Sequence, residues 1–532
     1  MKKLPLGIQN FRKIIENDCI YVDKTQYIYK LLNDASYYFL SRPRRFGKSL
    51  LLDTIAEVFG GDRELFKGLW ICNSNYPFKK HPVIRFDMSN IANETPEILK
   101  YAISEDIIAS AERENIIVAG SEPGILFKRL IENLYKKYGE QVVVLIDEYD
   151  IPILDHIGDI KIAAENRAVL KGFYGILKSM DPYLRFTLLT GITRFTKTSV
   201  FSGLNNLKDI TMSEDYAGIC GIPSDSLEEF FGEYIADLAK YDRFKRFDSI
   251  TNEILEWYDG YSWDGQTKLL NPFSLLSFFS DRRIGNYWYA TGTPGFLIDM
   301  IKRKPESYLV LKKLKITEPV LNTFDIERIE IEPLLFQTGY LTVTEVEETR
   351  GPPLFILDIP NCEVKEAFNL QILSALTESG DVRAGQARMD IVGALEAGDA
   401  YKILGALRGL FASIPYELHV DEEAYYHSIL YAAMTLLGFD MDAEVSVSRG
   451  RIDAVLELDD KIYVMEFKYE KCPRDANDDE KKMLFKTALD KAMKQIDDRG
   501  YTNKYIGSGK TVYKAAFAFL GRDDIEMRIE NR

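Results

Sequence analysis

One segment narrows the possible folds more than any other. The apolar run Tyr37-Tyr38-Phe39-Leu40 passes through Ser41-Arg42-Pro43-Arg44-Arg45-Phe46-Gly47-Lys48-Ser49 into Leu50-Leu51-Leu52-Asp53-Thr54-Ile55, which has helical character. A buried strand, a turn bearing glycine and lysine, and a helix N-terminus in that order make a phosphate loop (P-loop, Walker A). Backbone N–H groups and the helix dipole hold the phosphates, the Lys48 ammonium reaches the β and γ oxygens, and the Ser49 hydroxyl binds Mg²⁺. Arg44, Arg45, Phe46, Gly47 and Leu50 complete the set expected around the nucleotide. The common pattern has glycine where this chain has Arg42, so the opening turn of the loop departs from the usual one.

A second run, Val142-Val143-Val144-Leu145-Ile146-Asp147-Glu148-Tyr149-Asp150, is an apolar strand tipped with acids. That is a Walker B pattern, in which Asp147 holds Mg²⁺ and Glu148 orients and deprotonates the attacking water. Leu184 to Leu189 reads as a further strand, ending in Thr190-Gly191-Ile192-Thr193-Arg194. Thr190 is placed to sense the γ-phosphate, and Arg194 to neutralise transition-state charge in cis or across a subunit interface, which would make the protein a homo-oligomer. Thr-Gly after a strand is also ordinary turn chemistry. Near the other end, Gly507-Ser508-Gly509-Lys510-Thr511 resembles a phosphate loop by its letters. It leads into the strand-like Val512 to Phe519 rather than a helix, so no helix N-terminus faces a phosphate there.

At 532 residues the chain exceeds a single core. Strand-like runs alternating with helical patterns indicate α/β architecture with a parallel sheet covered on both faces. The expected division is a P-loop nucleotide-binding domain at 1–225, a helical, aromatic-rich lid at 226–300, a connector at 301–413 with strands at Thr338–Val346 and Leu354–Asp358, and an α/β domain at 414–532. Apolar residues at 46% and charged residues at 28% fit a globular protein. No run approaches the ~20 apolar residues of a membrane helix, and the N-terminus lacks a signal-peptide core, so a cytoplasmic location without membrane association is expected. Five scattered cysteines form no C-x-x-C pair and indicate neither disulfides nor zinc. A net charge of -15 excludes a uniformly basic nucleic-acid coat but not a local basic cleft.

The last unit carries the other chemistry. Gly450-Arg451-Ile452-Asp453 and Ile462 to Lys468 read as hairpin strands joined across Asp459-Asp460, with Asp453 opposite Glu466. Glu466 and Lys468, two apart, project to one face. Two acids to hold a divalent cation, Mg²⁺ or Mn²⁺, and a lysine to position or polarise water are what phosphodiester hydrolysis needs. This is the D…E-x-K constellation of PD-(D/E)XK nucleases, although E-x-K on an exposed strand is also a common ion pair. A helix at Glu422 to Leu437 would bring Glu423 as a further ligand or His427 as a polar wall, or merely a surface acid and a packed histidine. Gln495, on a helix near Ala488 to Asp498, is placed to contact the backbone or scissile group.

These residues resemble the AAA-ATPase-like bacterial proteins that carry a PD-(D/E)XK nuclease domain at the C-terminus. The carriers are Leu4-Pro5-Leu6-Gly7-Ile8, Tyr21-Val22-Asp23-Lys24-Thr25, the loop from Arg42 to Ser49, Asp147 to Asp150, Thr190 to Arg194, Asn271-Pro272-Phe273-Ser274, Tyr287 to Thr293, Gly450 to Asp453 and Glu466-Phe467-Lys468. The resemblance spans nearly the whole chain and accommodates Arg42, because that family's loop also takes Arg-Pro-Arg-Arg-Phe before Gly-Lys-Ser. It implies ATP binding and a nuclease-like module acting on nucleic acid. Two functions follow: an ATP-gated, metal-dependent nuclease, or a nucleotide-dependent switch whose C-terminal module binds nucleic acid or protein without cutting.

Overall fold

The computed structural model describes the chain except for residues 195–199, 201–203, 205, 246, 289–312, 322–325, 328, 378–379, 412–440, 448–449, 459, 474–475, 506, 521–523 and 532. The helix expected at 422–437, with Glu423 and His427, lies outside the described residues, as do 289–293 and Asp459. Two compact units emerge: Met1–Thr293 with Leu311–Val364, and a second containing Lys365–Arg532.

The first unit is built on strands β1 (Tyr37–Ser41), β2 (Val83–Asp87), β3 (Val142–Asp147), β4 (Leu184–Gly191) and β5 (Lys208–Asp209), in the order β2-β3-β4-β1-β5. Every pairing is parallel. β1 and β3 are buried along their full length, which is why they read as continuous apolar runs rather than alternating ones. Phe86 on β2, Phe127 on the helix Pro123–Tyr138 and Phe173 on the helix Ile160–Ser179 meet with ring centroids 4.9 to 5.5 Å apart. Each such pair adds about 0.5–1.5 kcal/mol to the area it buries and locks the helices onto the sheet. Because β4 lies between β1 and β3, the tips of three strands meet along one edge, where parallel α/β sheets place their ligands.

After Asp209 the chain turns helical. Leu227–Leu238, Ile250–Tyr258 and Pro272–Asp281 pack on one another through Phe231, Tyr258, Phe278 and Phe279, with Phe231 stacked on Phe279 at 5.2 Å. The last of these helices starts where it does because the Asn271 side chain accepts from the N–H groups of Phe273 and Ser274, with Pro272 filling the first helical position. A small antiparallel sheet follows, with β7 (Thr342–Glu347) and β6 (Leu314–Thr317) on either side of β8 (Leu354–Asp358). The strand expected from Thr338 begins only at Thr342, because Ile331–Thr338 is a helix closed by Gly339 at φ +92°. Its apolar residues Leu334, Leu335 and Phe336 are buried, a short run in which helix and strand look alike by letters.

The second unit holds five strands in chain order: β9 (Met441–Val447), β10 (Gly450–Glu457), β11 (Lys461–Glu470), β12 (Thr511–Leu520) and β13 (Asp524–Asn531). Only β11 and β12 run parallel, and the helix Asp478–Arg499 makes their crossover. That helix begins with a capping box between Asn477 and Glu480 and ends at Gly500 with φ +62°. Ala488, Leu489, Ala492, Met493 and Ile496 face the sheet. Its first turns are charged and carry no apolar period, so a reading by periodicity finds only the buried half.

Candidate functional sites

The phosphate loop leaves β1 at Ser41 and enters the helix Lys48–Gly60 through Gly47, whose φ of +92° lies in the region that favours glycine. Among the described residues no side chain caps this helix, which leaves its first N–H groups open to an anion. The Lys48 side chain is buried; its Nζ donates to the carbonyls of Arg42 at 3.0 Å and Pro43 at 3.2 Å and lies 3.2 Å from Glu148 Oε1. Arg42, standing where glycine is usual, is fully buried and braces the loop. Its guanidinium donates to Ser41 O and Thr211 O at 2.9 Å each and sits 3.9 Å from the centre of the Trp263 ring. Burial holds this guanidinium down to about 10, with no carboxylate in its hydrogen-bond shell among the described residues.

Phe46 is buried edge-on against Tyr261 and Trp263. Arg45 is exposed at φ +69° with its guanidinium over Phe273, and Arg44, Ser49 and Leu50 are half-buried.

At the tip of β3, Asp147 Oδ1 accepts from the Thr190 hydroxyl at 2.5 Å and from Glu148 N at 3.1 Å. Thr190 is the register partner of Leu40, so β4 carries its hydroxyl between the phosphate loop and the acid strand. Glu148 sits at φ +51°, a left-handed conformation that costs a non-glycine residue about 1–3 kcal/mol. The turn aims its carboxylate at Lys48, and its Oε2 is buried without a hydrogen-bond partner among the described residues. Asp150, to which no role was given from sequence, is buried and accepts from Ile192 N, Thr193 N and Thr193 Oγ1, clamping the end of β4. Burial, with the Glu148 charge second, raises its carboxyl to about 6. Arg194 forms an ion pair with Asp209 beside β1, and its N–H donates to Gln337 Oε1 at 2.9 Å.

In the second unit, the ladder pairs Ala454 with Met465 and so places Asp453 across from Glu466 at its end. Phe467 N donates to Asp453 Oδ2 at 3.0 Å. Lys468 Nζ donates to Glu466 Oε1 at 2.8 Å and to Phe467 O at 2.9 Å. Glu466 is fully buried, and its Oε2 has no hydrogen-bond partner among the described residues. Burial, then the neighbouring Asp453 carboxylate, raises its carboxyl to about 7. Among the described residues no group of three or more His, Cys, Asp or Glu converges. Two carboxylates suffice for Mg²⁺, which keeps several of its waters, and an orphaned buried oxygen beside a second acid is the donor such an ion completes. Gln495 lies on the crossover helix with its Nε2 3.4 Å from the Tyr501 hydroxyl.

The glycine-rich turn at 507–511 leads straight into β12, and Lys510 Nζ is held by Glu457 and the Leu458 carbonyl. Among the described residues no helix is long and apolar enough to cross a membrane.

Comparison with known proteins agrees with this architecture. Residues 5–201 match the family model described as predicted AAA-ATPase, and residues 421–528 match that of the PD-(D/E)XK nuclease superfamily. A protein of Azotobacter chroococcum mcd 1, described as an uncharacterized protein in the vnfD 5' region, is 36% identical over 527 residues, covering 97% of this chain and 96% of its own.

Proposed function

We propose, for a chain that belongs to the predicted AAA-ATPase family and carries a PD-(D/E)XK nuclease-superfamily domain at its C-terminal end, that ATP binding and hydrolysis gate a metal-dependent nuclease acting on nucleic acid. At the first site the helix N-terminus and Lys48 hold the triphosphate, Ser49 and Asp147 hold its Mg²⁺, and Thr190 senses the γ-phosphate through its bond to Asp147. Entry of phosphate oxygens displaces the Arg42 and Pro43 carbonyls and Glu148 from Lys48. Glu148, released, orients a water and takes its proton. Arg194 reaches transition-state charge only after leaving Asp209, within one subunit or across a homo-oligomer interface.

At the second site Asp453 and Glu466 hold Mg²⁺ or Mn²⁺, which when bound polarises the phosphodiester and makes water more acidic. Lys468 positions the attacking water and Gln495 contacts the substrate backbone. The observation that carries this reading is the buried, unpartnered Glu466 Oε2 beside Asp453, with Lys468 on the same face. Purified protein with Mg²⁺ or Mn²⁺ and ATP is expected to cut DNA or RNA, and Asp453→Ala and Glu466→Ala to abolish cutting. Cleavage that persists in both variants overturns the assignment.

A second reading, a switch whose C-terminal domain binds nucleic acid or protein without cutting, is favoured by the net charge of -15 and by the engagement of Lys468 with Glu466. ATP-dependent binding of DNA without cleavage under either metal would establish it.

A further inference from the structure

Three consecutive residues, Gln337-Thr338-Gly339, close the helix Ile331–Thr338 and touch two separate loops of the candidate nucleotide site. Gln337 is buried; its Oε1 accepts from Arg194 N at 2.9 Å and its Nε2 donates to Leu321 O at 2.8 Å. Both ends of the amide are engaged, so it cannot turn over without leaving buried groups unpaired. Arg194 is thus held twice, through its backbone by Gln337 and through its guanidinium by Asp209. Two residues on, Gly339 at φ +92° lies against Pro43 of the phosphate loop. A Cβ there would sit 2.9 Å from both Pro43 Cβ and Pro43 Cγ, so the backbone approaches the ring as closely as only glycine allows. The carbonyl of the same Pro43 accepts from Lys48 Nζ at 3.2 Å.

The phosphate loop and the turn that follows β4 therefore meet one short segment. Close-packed contacts pass a displacement on rather than absorb it, because the interior has no slack. We infer that Gln337 is a positioning residue for Arg194, and that Gly339 couples its setting to the phosphate loop. When phosphate oxygens take Lys48 from the Pro43 carbonyl, the shift of Pro43 acts on Gly339, and Gln337 carries the Arg194 backbone with it. Gln337 touches no reacting atom and acts through Arg194. The inference rests on the nucleotide-site reading above and adds to it how occupation of the loop readies the transition-state cation.

The test is steady-state ATP hydrolysis by the full chain, with calorimetric titration of the magnesium complex of ATP, for two substitutions of one residue. Gln337→Leu and Gln337→Glu both lose the donor to Leu321 O, but only Gln337→Glu keeps an acceptor for Arg194 N. Gln337→Leu is expected to lower kcat about tenfold or more while KM and the Kd for ATP stay within about twofold of wild type. Gln337→Glu restores most of that loss, which a purely structural role would not produce. In an Arg194→Ala background Gln337→Leu costs nothing further, because the two act as one unit. Gly339→Ala, forced against Pro43, weakens ATP binding and lowers kcat together; if it fails to fold in thermal melts, the Gln337 series decides. Wild-type kcat in Gln337→Leu, equal losses in Gln337→Leu and Gln337→Glu, or losses that multiply with that of Arg194→Ala overturn the inference alone. Arg194→Ala as active as wild type removes the role of Arg194 and the inference with it. Failure of wild type to bind or hydrolyse ATP instead refutes the nucleotide-site reading on which the inference stands.

Discussion

The Lys48 ammonium lies 3.2 Å from the Glu148 carboxylate, joining the phosphate loop to an acid-tipped strand far along the chain. Both groups are largely buried, and each supplies the counter-charge that the other lacks: Glu148 an anion for Lys48, Lys48 a cation for Glu148. Charge-assisted contacts of this kind, reinforced by the Arg42 and Pro43 carbonyls, hold the loop in a closed arrangement, which under the proposed function a triphosphate replaces.

Glu148→Gln separates binding from turnover. The amide removes the proton acceptor and weakens the competition for Lys48, so nucleotide binding is expected to persist or tighten. Phosphate release should fall by about 10²–10⁴-fold, the usual contribution of a general base. Unchanged hydrolysis removes Glu148 as the base.

Gly191→Ala tests the packing behind the acid strand. A Cβ at Gly191 would lie 2.5 Å from the Tyr149 ring and 2.7 Å from Asp150 Oδ1. Relief requires Tyr149 and Asp150 to shift, at a cost of about 1–3 kcal/mol, and carries Glu148 with them. Denaturant melts should show the loss of stability, and ATP hydrolysis should fall with it; a variant as stable and active as wild type contradicts this packing.

Arg42→Met removes the guanidinium from over Trp263 together with its hydrogen bonds to Ser41 O and Thr211 O. The two buried carbonyls lose their donor, for an expected cost of about 2–3 kcal/mol, and the affinity for triphosphate falls because the loop loses its brace. Thermal melts with and without nucleotide measure both.

Stability should depend on pH through Glu363. This carboxyl, fully buried, accepts from Trp288 N at 2.7 Å, and burial raises it from 4.5 to about 7. The folded protein therefore holds a proton that the unfolded chain releases, so the contribution is complete below about pH 4.5 and is lost as pH rises through about 7. The loss is on the order of 2–3 kcal/mol. Glu363→Gln keeps the acceptor for Trp288 N and should flatten that part of the profile in urea melts at pH 5 and pH 8. An unchanged slope in the variant assigns the dependence elsewhere.

Much of this arrangement is legible in the letters. Continuous apolar runs announce β1 and β3 because both faces of a parallel sheet are covered, and Asp453, Glu466 and Lys468 meet because a short hairpin brings register partners together. Arg42 is opaque for a physical reason: its role depends on Trp263 and Thr211, which no local spacing connects to it. Asp150 reads as one more acid until the fold shows it holding Ile192 and Thr193. Arg194 invites a reading as a free cation, whereas Asp209, contributed by a two-residue edge strand, engages it. β6 (Leu314–Thr317) has four residues, none of them buried, and so leaves no apolar signature.

The proposed function requires the phosphate loop and the acid strand to converge on one magnesium triphosphate. Isothermal titration of the purified chain with Mg²⁺ and ATP, repeated with Lys48→Ala, tests it most directly. Saturable uptake near one nucleotide per chain, strongly weakened in the variant, is the predicted result; no heat of binding with either adenine or guanine nucleotides at high protein concentration, or equal affinity in Lys48→Ala, would contradict it.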